Sequence, residues 1–287
     1  MVYLLAIGSA VLYGAADFTG GLASRRAGTI PVVLLSQASG LVLLALILPL
    51  LPSAEPLRAD LLWGVAAGLT GGGGVALLYR ALAIGTMTVV APITAVCAVA
   101  IPAGVALLLG ERPAPLAIAG IALGIASIVL VSREDSATAP SGDLPPARPR
   151  RPGIGTALAA GVAIGLFFLC LARTRTEAGM WPLLVSRSVS VTLFVIIALA
   201  GGKSVRIPAR ITGLVVLCGM IDMLANALYL LAARVGPLSI VVTLSSLYPA
   251  STVVLARITL GERLSVWQVT GVVSALAAIV LIVSGSR

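Results

Sequence analysis

A few charged and polar side chains inside long apolar runs are the residues of this sequence whose types and spacing could do chemistry. Asp17 and Arg187 each lie in such a run. Asp222, Asn226 and Tyr229 follow one another at i, i+4 and i+7, a spacing that places them on one face of a helix. An ionised group inside a membrane costs about 2.5–3.5 kcal/mol on insertion scales, so it usually faces a cavity or a partner. The pattern therefore indicates recognition of a polar solute within a bilayer.

Estimated depths bring these residues to two levels in the membrane. Depth is counted at roughly 1.5 Å per helical residue from the side that holds the termini. On this count Arg187 lies at about 10 Å and Asp222 at about 12 Å, on sequential helices that run in opposite directions. The sequence therefore predicts that these two residues can form an ion pair. Asp17 and Gln37 are also nearly level with each other, at roughly 22 and 18 Å.

Each of these residues also has a purely structural interpretation. Arg187 and Asp222 could neutralise each other within the bundle without touching a substrate. Asp17 could cap its helix or snorkel toward Arg25 and Arg26. The polar face that includes Asp222 could satisfy hydrogen bonds between helices. On the sequence alone, these interpretations stay open beside a role in the site.

The composition indicates which elements position these side chains. Hydrophobic residues form 59 % of the 287 residues, and charged residues form only 10 %. A soluble domain is usually about 25 % charged, so this chain is expected to be an integral membrane protein. The net charge of +9 comes from residues between apolar runs. It indicates membrane topology and contact with anionic lipid headgroups rather than binding of nucleic acid.

The same composition argues against catalysis. Histidine is absent, and the three cysteines, Cys97, Cys170 and Cys218, are scattered through apolar runs. This arrangement argues against a disulfide framework and a metal site. The sequence also lacks a cluster of nucleophile and base within its spans. We therefore predict a protein that is not an enzyme and needs no cofactor.

The apolar runs predict an all-α polytopic protein with ten transmembrane helices. A bilayer core of about 30 Å requires about 20 helical residues. The first run lacks a basic start, which favours a spanning helix over a removable signal. The predicted spans are 2–22, 29–51, 60–82, 86–109, 114–131, 153–173, 180–200, 210–233, 236–260 and 264–284.

The chain consists of two copies of one unit. Residues 85–112 return 151 residues later as 236–263, and both stretches close with Gly-Glu-Arg. A fixed offset of this kind indicates internal duplication. Tyr79 of the first copy matches Tyr229 of the second, but the first copy has no carboxylate that matches Asp222. Because a scaffold needs only what both copies share, the unmatched charges are the better candidates for substrate recognition.

The domain boundaries follow from this repeat. Residues 1–131 and 153–287 form two five-helix units, joined by a Pro-, Ser- and Arg-rich linker at 132–152. Because five is odd, the second unit must enter the membrane in the opposite sense, which makes a 5+5 inverted-topology repeat. The loops opposite the termini carry twelve Lys and Arg residues, and the side of the termini carries six. The positive-inside rule then predicts extracytoplasmic termini and a cytoplasmic linker.

The spans, the repeat and the Gly-Glu-Arg triplets together resemble the drug/metabolite transporter superfamily, most closely its EamA-type ten-helix exporters. The resemblance covers nearly the whole chain outside the linker. It rests on a Gly-Glu pair followed by a Gly-rich final helix in each half: Gly110-Glu111 with Gly120 and Gly124, and Gly261-Glu262 with Gly271. The resemblance implies a basket-shaped bundle whose central cavity is lined mainly by helices one, three, four, six, eight and nine. The fifth and tenth helices are expected to lie at the periphery.

Most of the candidate residues lie on helices that the resemblance places around the cavity. The cavity lining implied in this way includes Asp17, Tyr79, Asp222, Asn226, Tyr229 and Tyr248. Arg187 on helix seven fits this lining less well, which favours a structural role for it. Gln37 remains a candidate because its estimated depth in the membrane is close to that of Asp17. Glu111 and Glu262 lie at helix ends, so we expect them to cap the helix that follows each of them rather than take part in transport.

The resemblance and the polar residues together predict a secondary transporter that exports amino acids or related small metabolites across the inner membrane by alternating access. Asp222, under the influence of the neighbouring charge of Arg187, would bind an ammonium group, with Tyr79 and Tyr229 beside it. The alternative is a multidrug or lipid-linked sugar carrier with a largely apolar cavity. The expected partners are the lipid bilayer and a small-molecule substrate, and the protein would be a monomer or a homodimer.

Overall fold

The computed structural model describes residues 1–108, 114–131, 153–202, 205–235, 241, 244–245, 247–262 and 265–285. Within these ranges the regular structure is entirely helical. Two short 3-10 helices lie at Leu48–Leu50 and Thr176–Ala178. The α-helices bounded within the described residues are α1 (Val2–Ala27), α2 (Thr29–Ile47), α3 (Arg58–Ile84), α4 (Met87–Leu108), α5 (Pro115–Val131), α6 (Ile154–Ala172), α7 (Trp181–Ala200), α8 (Ala209–Val235), α9 (Tyr248–Leu260) and α10 (Val266–Ser284).

The predicted spans agree with these helices to within a few residues, except for the ninth. That span was expected to run unbroken over 236–260. Instead the chain is helical at Val241 and at 244–245, turns at Leu247, and begins α9 at Tyr248. Pro249 lies in the first turn of α9, where the missing N–H of a proline costs little. The predicted linker at 132–152 lies outside the described residues.

The helices have the lengths and apolar surfaces of a polytopic membrane protein. Six are long and apolar enough to span a bilayer: Val2–Ala27, Thr29–Leu50, Arg58–Ile84, Ile154–Leu171, Trp181–Ala200 and Ala209–Ala232. The described parts of α4, α5 and α10 add shorter apolar helices. Large side chains such as Leu46, Leu62 and Ile258 point outward and are more than two-thirds exposed. A bilayer would cover this surface.

Small residues allow the helices to approach closely inside the bundle. α1 packs against α8 and α9, α3 packs against α6 and α7, and α2 packs against α7 and α8. A Cβ added at Gly219 of α8 would overlap the carbonyl oxygen of Ser36 in α2. A Cβ added at Gly68 of α3 would lie 2.5 Å from the carbonyl oxygen of Ser186 in α7. Such contacts are typical of transmembrane helices that pack through small side chains.

These two glycine contacts join positions that correspond, to within one residue, in the predicted repeat. Gly68 and Gly219 are 151 residues apart, and Ser36 and Ser186 are 150 apart. A glycine in the third or eighth helix therefore meets the backbone of the second or seventh helix in the same way. α5 and α10 correspond as well, and these two helices pack against each other.

Replacing Gly219 with alanine is expected to destabilise the protein by about 1–3 kcal/mol, because α2 and α8 must move apart to accept the methyl group. Gly213 on the same helix is the matched control, since a Cβ there meets nothing within 4 Å. Gly213→Ala should leave stability unchanged or raise it by up to about 1 kcal/mol. Thermal unfolding in detergent micelles measures both variants. Equal melting temperatures for the two would contradict this packing.

Candidate substrate-binding site

Arg187 is the centre of a hydrogen-bonded group between three helices. Its Nη1 donates to Oε1 of Gln37 on α2, and its Nη2 donates to Oδ2 of Asp222 on α8. Arg187 is only 7 % exposed, although it carries a full charge. The predicted Arg187–Asp222 ion pair is therefore confirmed. Charge-assisted hydrogen bonds of this kind are about twice as strong as those between neutral groups, so the group ties α2, α7 and α8 together.

Gln37 was expected near the level of Asp17, but its side chain binds Arg187 instead. The estimated depths of Gln37 and Arg187 differ by roughly 8 Å, counted at about 1.5 Å per residue. Such a count follows the backbone and ignores the length of a side chain. The long side chain of arginine carries its guanidinium well away from its own backbone level, as snorkelling side chains do.

Asp17 lies buried on α1 and is 9 % exposed. Among the described residues, no hydrogen bond or ion pair reaches its carboxylate. Of the two arginines toward which Asp17 could snorkel, Arg25 and Arg26, Arg25 donates instead to the carbonyl oxygens of Leu82 and Gly85. Sγ of Cys218, one helical turn before Asp222 on α8, donates to the carbonyl oxygen of the neighbouring Ala16 at 3.3 Å. Asp17 therefore lies on the part of α1 that packs against α8 near the Arg187 group.

Tyr13 is a residue that the sequence analysis missed. Its ring contacts that of Tyr248 edge-on, with the ring centroids 6.2 Å apart. Tyr248 also packs against α1 at Gly14, where an added Cβ would lie 2.5 Å from the carbonyl oxygen of Tyr248. The position of Tyr13 four residues before Asp17, on the same face of α1, was the available signal. We refer to Tyr13, Asp17, Gln37, Arg187, Asp222 and Tyr248 as the central polar cluster.

The remaining candidates on α3 and α8 lie beside this cluster. Tyr79 is 2 % exposed; its ring packs against Gly20, and its hydroxyl lies 3.3 Å from Sγ of Cys218. Nδ2 of Asn226 donates to the backbone carbonyl of Asp222 at 2.8 Å. Tyr229 packs against Phe168, with ring centroids 6.4 Å apart. In this conformation Tyr79 and Asn226 already have partners, whereas Tyr229 has a ring contact but is only partly buried.

Glu262 caps a helix, as expected, but it is a different helix from the predicted one. Its carboxylate accepts hydrogen bonds from the backbone N–H of Met87 and of Thr88, at 3.1 and 3.0 Å, and from the Thr88 hydroxyl at 2.9 Å. It therefore caps α4 and not α10. The N-terminus of α10 is capped by Ser265 and Gln268, which bond reciprocally. Glu111 lies outside the described residues.

Glu262 also joins three parts of the chain at one end of the bundle. Its Oε1 lies 3.7 Å from Nη2 of Arg25, which in turn binds the turn between α3 and α4. A carboxylate at a helix N-terminus is stabilised by the helix dipole and by unpaired N–H groups. We call Arg25, Thr88 and Glu262 the first end cluster.

A second polar group, which the sequence analysis missed, joins α3 to the segment after α6. Oδ1 of Asp60 accepts from the backbone N–H of Arg175 at 2.9 Å, and Oδ2 accepts from its Nη2 at 3.1 Å. Asp60 also accepts from the backbone N–H of Leu57, which caps α3. Nη2 of Arg175 donates to the carbonyl oxygen of Glu55. We call Asp60 and Arg175 the second end cluster; it lies at the start of α3, whereas the first lies near its end.

Comparisons with known proteins were informative at the level of the family and the fold. The model of the EamA-like transporter family matches the chain twice, over residues 1–133 and 151–284. No curated protein matches the chain. A crystal structure of a protein of unstated function is similar over 98 % of this chain and 95 % of its own, with 17 % identity and a TM-score of 0.59. At that identity the likeness shows the fold alone.

Proposed function

This chain belongs to the EamA-like transporter family, and from that premise we propose that it exports small organic metabolites across the inner membrane by alternating access. The observation that carries this proposal is the central polar cluster. Charged groups from α1, α7 and α8 converge inside a bundle whose outer surface is apolar. Intramembrane charges that face the interior of a bundle usually mark the route of a substrate or an ion.

The proposed site combines the central polar cluster with Tyr229, Asn226 and Tyr79. Arg187, Gln37 and Asp222 form a wall whose charges compensate each other. Asp17 lies on the part of α1 that packs against α8, one helical turn from Tyr13, whose ring contacts that of Tyr248. A polar solute gains more from such groups in a low-dielectric interior than it would in water.

We propose that the two halves of the chain form an inverted-topology repeat. Three observations support this architecture. The family model matches each half separately, and the corresponding residues Gly68 and Gly219 make corresponding helix contacts. α5 also packs against its counterpart α10. In transporters with inverted repeats the substrate binds near the midplane between the repeats, which is where the central polar cluster would lie.

The first and second end clusters are candidates for the two gates that an alternating-access mechanism needs. Each joins a helix from before residue 132 to a segment from after residue 152: Arg25 and Thr88 with Glu262, and Asp60 with Arg175. Both are formed in this conformation. We propose that each cluster closes one end of the bundle and that transport opens the two in turn. Because polar contacts can re-form with water at an open end, separating them costs less than opening an apolar interface.

The distribution of basic residues supports an orientation. We propose that the first end cluster faces the cytoplasm and the second faces the outside. Twelve Lys and Arg residues lie on the predicted side of the first cluster, against six on the other. The linker at 132–152 would then be cytoplasmic and both termini extracytoplasmic.

Reconstitution tests the proposed function directly. Purified protein would be screened by thermal stabilisation against amino acids, nucleosides and amines, since a ligand that binds the folded state raises the melting temperature. Compounds that stabilise the protein would then be loaded into proteoliposomes, and their efflux compared with that from protein-free vesicles. We expect protein-dependent efflux of at least one small polar metabolite. Movement of lipophilic drugs alone would favour the multidrug alternative, and no efflux of any compound would refute the proposal.

A further inference from the structure

The charged residues inside the bundle do not all form pairs. Three such residues of the described helices lie more than five residues from a helix end: Asp17, Arg187 and Asp222. Arg187 and Asp222 pair with each other. Asp17 is therefore the one interior carboxyl group of the described helices that has no basic partner.

An isolated carboxylate away from water is unfavourable, so such a group holds a proton unless a cation binds beside it. From this unpaired carboxyl group we propose that the solute is an organic monocation and that Asp17 binds its ammonium group. This inference rests on the proposed function and specifies the class of substrate for that site. Asp17 is suited to the role because it is about nine-tenths buried and no side chain of the described residues neutralises it.

The aromatic residues beside Asp17 also suit a cation. Tyr13 lies one helical turn before Asp17, and its ring meets that of Tyr248 at an angle of 61°. Tyr248 lies against α1 at Gly14, where an added Cβ would be 2.5 Å from the carbonyl oxygen of Tyr248. Ring faces attract cations, most strongly where water is excluded. A carboxylate one helical turn from this pair of rings therefore offers an ammonium group a counter-charge beside aromatic surfaces.

The same geometry disfavours an anionic group. Arg187 is the one interior cation of the described helices, and it already donates to Gln37 and Asp222. Recognition of a substrate carboxylate by Arg187 would break these buried contacts and leave Asp222 uncompensated. A zwitterion therefore gains only at its ammonium end. The expected order of affinity is monocation first, zwitterion second and monoanion last.

The second half of the chain has no equivalent charge. Phe168 occupies the position that matches Asp17, and its ring packs against Tyr229. The cation site is thus confined to the α1 side of the bundle. This asymmetry predicts a single ammonium site rather than a symmetric pair.

Three probes with one phenyl skeleton and different charges test the proposal: 2-phenylethylamine, phenylalanine and 3-phenylpropanoate. Binding to the purified full-length protein is measured by thermal stabilisation and by calorimetry. We expect the wild type to bind the amine most tightly and the propanoate least. Asp17→Asn should weaken binding of the amine at least tenfold and leave the propanoate unchanged or slightly improved. Asp17→Glu should recover part of the affinity for the amine.

Asp143→Asn is the matched control, because it removes the same charge from the segment between the halves and should bind like the wild type. Asp17→Asn should melt no lower than the wild type without ligand, since the carboxyl group that it replaces has no hydrogen-bond or ion-pair partner among the described residues. The proposal is overturned if Asp17→Asn binds the amine with wild-type affinity, if the propanoate binds the wild type as tightly as the amine, or if the amine does not bind at all. If only this inference failed, the protein would still export other metabolites from proteoliposomes. If the proposed function failed, the protein would export no compound at all.

Discussion

Replacing Arg187 with methionine is expected to lower the free energy of unfolding by about 3–5 kcal/mol, because Asp222, whose side chain is only 14 % exposed, then loses its partner. Methionine keeps most of the length of the arginine side chain, so the loss comes from the charge and its hydrogen bonds. Gln37 loses its donor in the same step. Equilibrium unfolding in mixed micelles measures the change.

The double variant Arg187→Met with Asp222→Leu distinguishes the stability that the ion pair contributes from the cost of leaving one of its charges unpaired. Removing both partners of a buried ion pair is often neutral or stabilising, whereas removing one partner is strongly destabilising. We therefore expect the double variant to recover at least about 2 kcal/mol of the loss. A double variant as unstable as Arg187→Met would mean that Asp222 is not the group that makes the loss of Arg187 costly.

Replacing Glu262 with alanine is the second change with a large expected effect, a loss of about 2–4 kcal/mol. Met87 and Thr88 are fully buried, and Glu262 accepts from both of their backbone N–H groups. A buried donor left without an acceptor costs about 1–3 kcal/mol. The ion pair with Arg25 adds little, because at 3.7 Å and with Arg25 about one-third exposed it resembles a surface pair worth at most about 1 kcal/mol.

A comparison of Glu262→Ala with Glu262→Gln tests whether the helix cap, and not the ion pair with Arg25, accounts for most of the stabilisation by Glu262. Glutamine keeps a neutral acceptor, so it should retain about half of the stabilisation, although it removes the ion pair entirely. Glu177→Ala is the control for loss of an exposed carboxylate and should change stability by less than about 0.5 kcal/mol. Thermal unfolding and hydrogen exchange at the start of α4 report the effect. If Glu262→Gln were as damaging as Glu262→Ala, the ion pair and not the cap would be the main contribution.

The positions of most helices could be predicted from composition alone, because spanning a bilayer requires runs of about 20 apolar residues. The ion pair between Arg187 and Asp222 could be predicted as well, since sequential antiparallel helices bring residues of equal depth side by side. The start of α9 could not be placed this way. Hydropathy does not change at Tyr248, and the break there depends on the backbone at Leu247 and Pro249.

Most of the side-chain contacts between helices that the sequence analysis missed join segments that are distant in the chain. Glu262 was expected to cap a helix, but its partner helix comes from the other half. Asp60 and Arg175 are 115 residues apart, and no local pattern relates them. Tyr13 was overlooked because a tyrosine in an apolar run resembles ordinary packing. Its relation to Asp17 becomes evident only when α9 brings Tyr248 beside it.

A cysteine at the position of Tyr13 gives the most direct test that the central polar cluster lies on a transport route. Cys97, Cys170 and Cys218 would first be replaced, and Tyr13→Cys introduced into protein in oriented vesicles. We expect a membrane-impermeant maleimide to modify this cysteine from either side of the membrane, and a transported solute to slow the reaction from both sides. The position of the cluster on a transport route would be contradicted if the cysteine reacted from neither side. It would also be contradicted if the cysteine reacted from one side only, whether or not solute is present.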